Sequence, residues 1–229
     1  MQTVILMGGE GRRLWPLTEQ CPKPLLKVSG RPFIEFMLDQ LLCQGFDNFL
    51  FLCGYKADVF LNYVKKSPFF IKKIKNYQVS IDRELLGTAG AVKNAYQMLD
   101  ENFMLINGDS YLEMDYKNFC ASTDTLKIAL VHSNDCSRYG EVHVGIKNIV
   151  TGMSEKSSLC NSGLINAGIY RLQKNIFFEL PSKEKISLER EIIPRLIQKK
   201  ILLAEIVTGF FIDMGVPKDF KRADEIFRK

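Results

Sequence analysis

Strand-length apolar runs alternate with helical patterns along the first half of the chain. The runs predict strands at 3–7, 49–53, 78–82 and 103–106, with helical spacing at 32–44, 57–66 and 88–99 between them. Such alternation is typical of βαβ units, in which helices cover both faces of a parallel sheet. We therefore expect an α/β protein.

The second half of the chain is richer in strands. It predicts strands at 127–132, 139–145, 149–153, 164–170, 201–206 and 210–212, and helices at 187–198 and 217–227. These strands would extend the sheet and add antiparallel pairs, giving a mixed, mainly parallel sheet. Because no linker or repeat interrupts the pattern, we expect a single domain over residues 1–229.

Composition excludes membrane-spanning and disulfide-rich classes. The longest apolar stretches are strand-length, far below the ~20 residues that span a bilayer. No secretory signal pattern precedes the first strand, so we expect a cytoplasmic protein without a membrane partner. The six cysteines form no CxxC pair and only two histidines accompany them, which indicates reduced thiols and no zinc site.

The net charge of +5 is partly local, since five lysines lie between residues 65 and 75. A nucleic-acid surface is one interpretation of this cluster, and a solvated loop and helix end is the other. We favour the solvated interpretation and expect no nucleic-acid partner. An anionic small substrate remains compatible with the charge.

The loop MGGEGRRL, residues 7–14, directly follows the first predicted strand. Its opening resembles the dinucleotide fingerprint GxGxxG, but Leu14 occupies the third glycine position, and the second strand ends in Cys53-Gly54-Tyr55 without a ribose-binding acid. The phosphate-binding pattern GxxxxGK[ST] is also absent. What remains is a glycine turn whose backbone amides could cradle phosphate, supported by two arginines and by Lys23 between two prolines.

Two further segments follow predicted strands as the glycine loop does. They are Asn107-Gly108-Asp109 and Ile212-Asp213-Met214-Gly215. Ligands of open parallel sheets bind outside the carboxyl ends of the strands, so we expect these segments and the glycine loop to share one site.

Residues 7–36, MGGEGRRLWPLTEQCPKPLLKVSGRPFIEF, resemble the opening signature GGxGTRLxPLTxxxPKPxLxVxxKP of nucleotide sugar pyrophosphorylases, the NTP:sugar-1-phosphate nucleotidyltransferases. Arg12 and Arg31 depart from the usual Thr and Lys. The segments LGTAG at 86–90, NGD at 107–109, EK at 155–156, NAGIY at 166–170 and FIDMGVP at 211–217 continue the resemblance in order. It implies a Rossmann-like, three-layer α/β/α nucleotidyltransferase fold of GT-A type.

The family reaction is attack of a sugar 1-phosphate oxygen on the α-phosphorus of a nucleoside triphosphate, and it requires no protein nucleophile. The resemblance implies catalytic roles for Arg13, Lys23 and Asp109, and Mg²⁺ held by Asp109 and Asp213. It implies nucleotide binding by Leu6, Gly8, Gly9, Gly11, Arg12, Arg13, Gly87, Thr88 and Gly108, where the LGTAG glycines would let the backbone approach the base. It implies sugar-phosphate binding by Tyr139, Gly140, Glu155, Lys156, Asn166 and Gly168.

Within the family, the chain resembles the short bacterial branch that lacks a C-terminal β-helix and joins GTP to D-glycero-α-D-manno-heptose 1-phosphate for surface polysaccharide. A uridylyl- or cytidylyltransferase for another sugar phosphate or phospho-alcohol is an alternative. A non-catalytic regulatory module of the same fold is another, although the intact glycine loop, Lys23 and both aspartates argue against it. The sequence leaves a homodimer open.

Overall fold

The computed structural model of the protein describes residues 1–121, 125–154, 162–182 and 184–228. The strands are β1 (Gln2–Met7), β2 (Lys27–Val28), β3 (Arg31–Pro32), β4 (Asn48–Cys53), β5 (Asn76–Ile81), β6 (Asn102–Asn107), β7 (Ser110–Leu112), β8 (Leu126–Ser133), β9 (Val142–Val144), β10 (Val150–Met153), β11 (Gly163–Gln173), β12 (Leu202–Val207) and β13 (Phe211–Asp213). The α-helices are α1 (Phe33–Cys43), α2 (Ala57–Lys66), α3 (Pro68–Lys73), α4 (Gly87–Asn94), α5 (Tyr116–Cys120), α6 (Ile193–Gln198) and α7 (Pro217–Ile226).

Seven of the described strands form one central sheet in the order β12-β8-β11-β6-β1-β4-β5. β1 pairs in parallel with β4 and β6, β4 with β5, and β8 with β12. Only β11 runs against its neighbours β6 and β8. The expected mixed, mainly parallel sheet is therefore confirmed.

Both faces of the central sheet are buried, which explains the nearly continuous apolar runs of its strands. In β4, Phe49 and Phe51 belong to one core cluster, whereas Leu50 and Leu52 belong to the other. Helices α1, α2, α3 and α5 contribute to the first cluster, and α4 and α6 contribute to the second. The chain thus has the three layers predicted for an α/β/α fold.

Several predicted elements differ from the structure at their ends. The expected helix 88–99 ends at Asn94 and continues only as a 3₁₀ turn, and the expected strand 139–145 is shortened to Val142–Val144. The strand begins late because the backbone N–H groups of Tyr139 and Gly140 turn back to donate to the carbonyl of Cys136. Helix α3 was missed, although Ser67 caps it and Pro68 starts it.

None of the described helices is long and apolar enough to cross a bilayer. The five described cysteines are free thiols, while Cys160 lies outside the described residues.

Candidate active site

The three segments that follow β1, β6 and β13 meet at one edge of the sheet. The backbone N–H of Gly108 donates to the carbonyl of Leu6 at 2.9 Å, and the N–H of Met214 donates to the carbonyl of Asp109 at 2.9 Å. The ammonium group of Lys23 lies 2.6 Å from a carboxylate oxygen of Asp109. The structure therefore brings together the glycine loop, Lys23 and both candidate aspartate segments, as expected for a shared site.

A cavity of about 320 Å³ opens beside this edge of the sheet. The predicted site residues that line it are Leu6, Gly8, Gly9, Lys23, Gly87, Thr88 and Asp109. Gly11, Arg12, Arg13 and Gly108 belong to the adjoining loops but do not line it. The cavity lies between the glycine loop and the first turn of α4.

The glycine loop is held from one side by Thr18. The buried hydroxyl of Thr18 donates to the carbonyl of Gly11 at 2.9 Å, and Gly11 has a φ of 66° that favours glycine. The N–H groups of Gly9 and Gly11 donate to no acceptor among the described residues, so they are available for an anion.

The two arginines of the glycine loop have different surroundings. Arg12 is paired within the loop, because its Nε lies 2.7 Å from a carboxylate oxygen of Glu10. Arg13 is exposed and has no ion pair within the described part of the chain. Arg12 is thus paired with Glu10, whereas Arg13 carries an exposed charge that is available to an anion.

Asp109 and Asp213 form the acidic part of the site. Burial raises the pKa of Asp213 to about 7, and the charge of Asp109 adds to this shift, whereas Lys23 and Arg138 oppose it. One carboxylate oxygen of Asp213 is buried without a hydrogen-bond partner among the described residues.

This pair of carboxylates fits a divalent cation. The charge of Asp109 makes ionisation of Asp213 more costly, and a bound cation would offset that cost. Mg²⁺ takes one or two carboxylates, while water and phosphate oxygens complete its shell. No cluster of three or more His, Cys, Asp or Glu side chains occurs in the described residues, so a closed protein cage for a metal is not present there.

The LGTAG segment is crossed by a second stretch of chain. The carbonyl of Ile186 accepts the N–H groups of Ala89 at 3.0 Å and Gly90 at 3.2 Å, and the N–H of Ile186 donates to Leu86. A Cβ atom at position 87 would lie 2.5 Å from the Ile186 carbonyl oxygen, and one at position 90 would lie 2.5 Å from that of Glu184. Both glycines therefore make room for the backbone of the crossing chain, and the role of this segment in base binding stays a prediction.

Gly87→Ala should destabilise the protein by about 3 kcal/mol or more, because the new methyl group meets a backbone carbonyl that cannot rotate away. Gly30→Ala is the matched control: its φ of 79° is as unfavourable, but no described atom lies within 4 Å of its Cβ position. That control should cost about 1 kcal/mol. Urea unfolding of both variants measures the difference in the free energy of unfolding. Equal losses in the two variants would show that the chain at Ile186 moves aside to accommodate the methyl group.

Asp82 is a cavity-lining residue that the sequence analysis did not identify. It follows β5 and is only 8% exposed, and one of its carboxylate oxygens accepts a hydrogen bond from the side-chain amide of Asn94 at 2.7 Å. Burial raises the pKa of Asp82, and the hydrogen bond from Asn94 opposes that shift. Glu84 and Lys185 line the same cavity. No recognised motif contains these residues, so only the fold could reveal them.

The predicted sugar-side residues lie in different surroundings. Tyr139 is half-buried against Phe211, and burial together with the charge of Asp213 raises its pKa. The side chain of Asn166 accepts the N–H of Gly168 at 2.9 Å within β11. Gly140 is buried in the turn before β9, and Glu155 and Lys156 lie outside the described residues.

Comparison with known proteins gives a consistent result. The nucleotidyl transferase family matches residues 2–229. A D-glycero-alpha-D-manno-heptose 1-phosphate guanylyltransferase from Campylobacter jejuni is 36% identical over 96% of this chain and 97% of its own length. A protein of the same name from Aneurinibacillus thermoaerophilus is 30% identical over 98% of this chain and 97% of its own.

Solved structures agree with this result. The crystal structure of HddC from Yersinia pseudotuberculosis has 34% sequence identity and a TM-score of 0.87, with 99% of both chains covered. The same protein complexed with GMP-PN gives a TM-score of 0.85 at the same identity and coverage.

Proposed function

This chain belongs to the nucleotidyl transferase family, and we propose that it joins GTP to D-glycero-α-D-manno-heptose 1-phosphate, forming GDP-heptose and pyrophosphate. The names of two relatives that match nearly their full length support this choice of substrates. The product would supply heptose for surface polysaccharide.

The observation that carries the proposal is the ion pair of Lys23 and Asp109, both of which line the cavity. Both substrates are polyanions, so the protein must neutralise and align them for in-line displacement. Lys23 is 18% exposed and lies at the carboxyl edge of the sheet, between the glycine loop and the two aspartates. This is the place where charge on an α-phosphate would be met by a fixed cation.

In the proposed reaction, an oxygen of the sugar phosphate forms a bond to the α-phosphorus. The bond from that phosphorus to the bridging oxygen breaks, and pyrophosphate leaves with the electron pair. Lys23 would stabilise charge on the α-phosphate oxygens, while Arg13 and the free N–H groups of Gly9 and Gly11 would hold the β- and γ-phosphates.

Asp109 and Asp213 would hold Mg²⁺, and the bound ion would neutralise phosphate charge and help orient the two substrates. The unpartnered buried oxygen of Asp213 supports this assignment. On the sugar side, Tyr139, Gly140, Asn166 and Gly168 remain proposed contacts, together with Glu155 and Lys156.

Asp82 supports a guanine base over a pyrimidine. Guanine presents two adjacent donors, its ring N1–H and its 2-amino group, and an ionised carboxylate has only acceptors. Uracil and cytosine each place an acceptor beside their donor on the pairing edge. A carboxylate at this position disfavours them because its oxygens would lie against that acceptor. Asn94 occupies one oxygen of Asp82, and Asp82 lines the cavity, so its other oxygen would be the acceptor for a base bound there.

Asp82→Asn should lower kcat/KM for GTP by about tenfold to a hundredfold, since a hydrogen bond to a charged acceptor is lost. ITP lacks the 2-amino group, so the variant should bring the ratio of GTP to ITP efficiencies towards one. Asn94 can still donate to the new side chain, which preserves the local fold. Asp47→Asn, an exposed substitution before β4, should retain the wild-type ratio. A ratio unchanged in Asp82→Asn would remove Asp82 from base recognition.

The proposal as a whole is tested by incubating the protein with Mg²⁺, each NTP in turn and a panel of sugar 1-phosphates, and by measuring pyrophosphate. GTP with the heptose 1-phosphate should give the highest efficiency. Higher efficiency with UTP or CTP would retain the reaction class and overturn the choice of base.

A further inference from the structure

The stretch that crosses α4, residues 184–192, ends in an unusual helical turn. Residues Leu188–Ile192 form a π-helical turn that leads into α6, and the side chain of Ser187 caps it by accepting the N–H of Arg190. Single π turns are often found at functional sites. We call residues 184–192 the crossing segment.

Glu189, in this π turn, contacts the first turn of α4. The hydroxyl of Thr88 donates to one carboxylate oxygen of Glu189 at 2.9 Å, and the same hydroxyl accepts the N–H of Leu188 at 2.7 Å. Thr88 lines the cavity, but its hydroxyl is engaged in both directions by the crossing segment. Glu189 therefore fixes the first turn of α4.

The other carboxylate oxygen of Glu189 faces β11. The hydroxyl of Tyr170 donates to it at 3.4 Å, and the side-chain amide of Asn166 donates to the Tyr170 hydroxyl at 2.6 Å. Tyr170 is fully buried, and burial together with the charge of Glu189 raises its pKa, which keeps the hydroxyl protonated as a donor. Between Asn166 and Tyr170 the pairing of β11 with β8 shifts register, so this contact supports an irregular stretch of strand.

The hydrogen bonds have a direction. Asn166 donates to Tyr170, Tyr170 donates to Glu189, and Thr88 donates to Glu189 from the opposite side. Both series of hydrogen bonds therefore end at the Glu189 carboxylate. A carboxylate suits this position because each of its two oxygens can accept a hydrogen bond and neither carries a proton.

We propose that Glu189 is a positioning residue that couples the LGTAG segment on the nucleotide side to the Asn166–Tyr170 stretch on the sugar side. A shift of the LGTAG segment on binding one substrate would move the Glu189 carboxylate, and this movement would change the position of the Asn166–Tyr170 stretch that binds the other substrate. This inference rests on the proposed function for the identity of the two sides, whereas the connection itself is a property of the fold.

The test is Glu189→Gln, which keeps size and removes one acceptor. Glutamine can accept from Thr88 or from Tyr170 but not from both, because its amide nitrogen is a donor. The KM values for GTP and for the sugar 1-phosphate should each rise by about threefold to tenfold. Glu191→Gln is the matched control on the same turn. Among the described residues its exposed carboxylate accepts only the N–H of Ser187, and both KM values should remain at the wild-type level.

Two further measurements separate coupling from simple destabilisation. Tyr170→Phe should raise the KM for the sugar phosphate, and its effect combined with Glu189→Gln should be smaller than the product of the two separate increases, since both substitutions weaken the same series of hydrogen bonds. Amide hydrogen exchange of Glu189→Gln should accelerate at residues 86–90 and also at 166–170, whereas Glu191→Gln should accelerate neither.

Additive effects of the two substitutions, or faster exchange at residues 86–90 alone, would overturn the coupling. Wild-type pyrophosphate release in the same assays reports on the proposed function. Hydrogen exchange does not depend on turnover, so the two ideas can fail separately.

Discussion

Lys23→Ala should lower kcat/KM for pyrophosphate release by about two to three orders of magnitude, because a pre-oriented charge at the reacting phosphate is lost. The position of Lys23 is fixed by the 3₁₀ turn Lys23–Leu25 and by its contact with Asp109 at 2.6 Å. Steady-state kinetics at saturating Mg²⁺ measure the loss.

The fold should survive this substitution. The ion pair is partly exposed, so the free energy of unfolding should change by only about 1 kcal/mol. Lys27→Ala, which removes an exposed lysine of β2, should leave both kinetics and stability at wild-type values. A Lys23→Ala enzyme with near-wild-type turnover would mean that the α-phosphate is neutralised elsewhere.

Asp213→Asn should abolish most activity and yet stabilise the metal-free protein at neutral and alkaline pH. Activity should fall by about two to three orders of magnitude, since a metal ligand that contributes several kcal/mol of charge stabilisation is removed. Mg²⁺ should raise the melting temperature of the wild type but not of the variant, because only the wild type retains both carboxylates.

The stability effect follows from the raised pKa of Asp213, which is about 7 in the folded protein against an ordinary value of 3.8. Between these values the folded state binds more protons than the unfolded state, so wild-type stability should fall as the pH rises from about 4 to about 7. Each pKa unit corresponds to about 1.4 kcal/mol. The uncharged asparagine removes this dependence, and the gain should be largest above the folded pKa.

Urea unfolding in EDTA at pH 5 and pH 8 measures this difference. Asp100→Asn, an exposed substitution just before β6, should keep the wild-type pH dependence and activity. If Asp213→Asn is less stable than the wild type at pH 8, the ionised Asp213 carboxylate does not destabilise the metal-free protein.

Much of the fold and part of the site could be predicted from the sequence because they depend on local patterns. The apolar alternation of β4 identifies a strand buried on both faces, and the glycine loop follows a strand that any parallel sheet would place at its carboxyl edge. The same rule places Asp109 at this edge. A place for Lys23 in the site was implied by the family resemblance, and its contact with Asp109, 86 residues away, appears only in the fold.

The parts that could not be predicted depend on contacts between distant segments. Gly87 is a glycine because the chain at Ile186 crosses it, and no local pattern predicts that crossing. Asp82 and Glu189 belong to no recognised motif, and their roles come from Asn94 and Thr88 beside them in the fold. Arg12 likewise departs from the family pattern, and its pairing with Glu10 became evident only from side-chain geometry.

The central claim is that this site transfers a guanylyl group to a heptose 1-phosphate. The most direct measurement uses GTP labelled at the α-phosphorus, with D-glycero-α-D-manno-heptose 1-phosphate and Mg²⁺, and follows the label by chromatography. The label should appear in GDP-heptose in amounts equal to the pyrophosphate released, and Lys23→Ala should suppress both. Label that remains in GTP while UTP or CTP is consumed would contradict the guanylyl assignment, and no transfer from any nucleotide would contradict catalysis by this site.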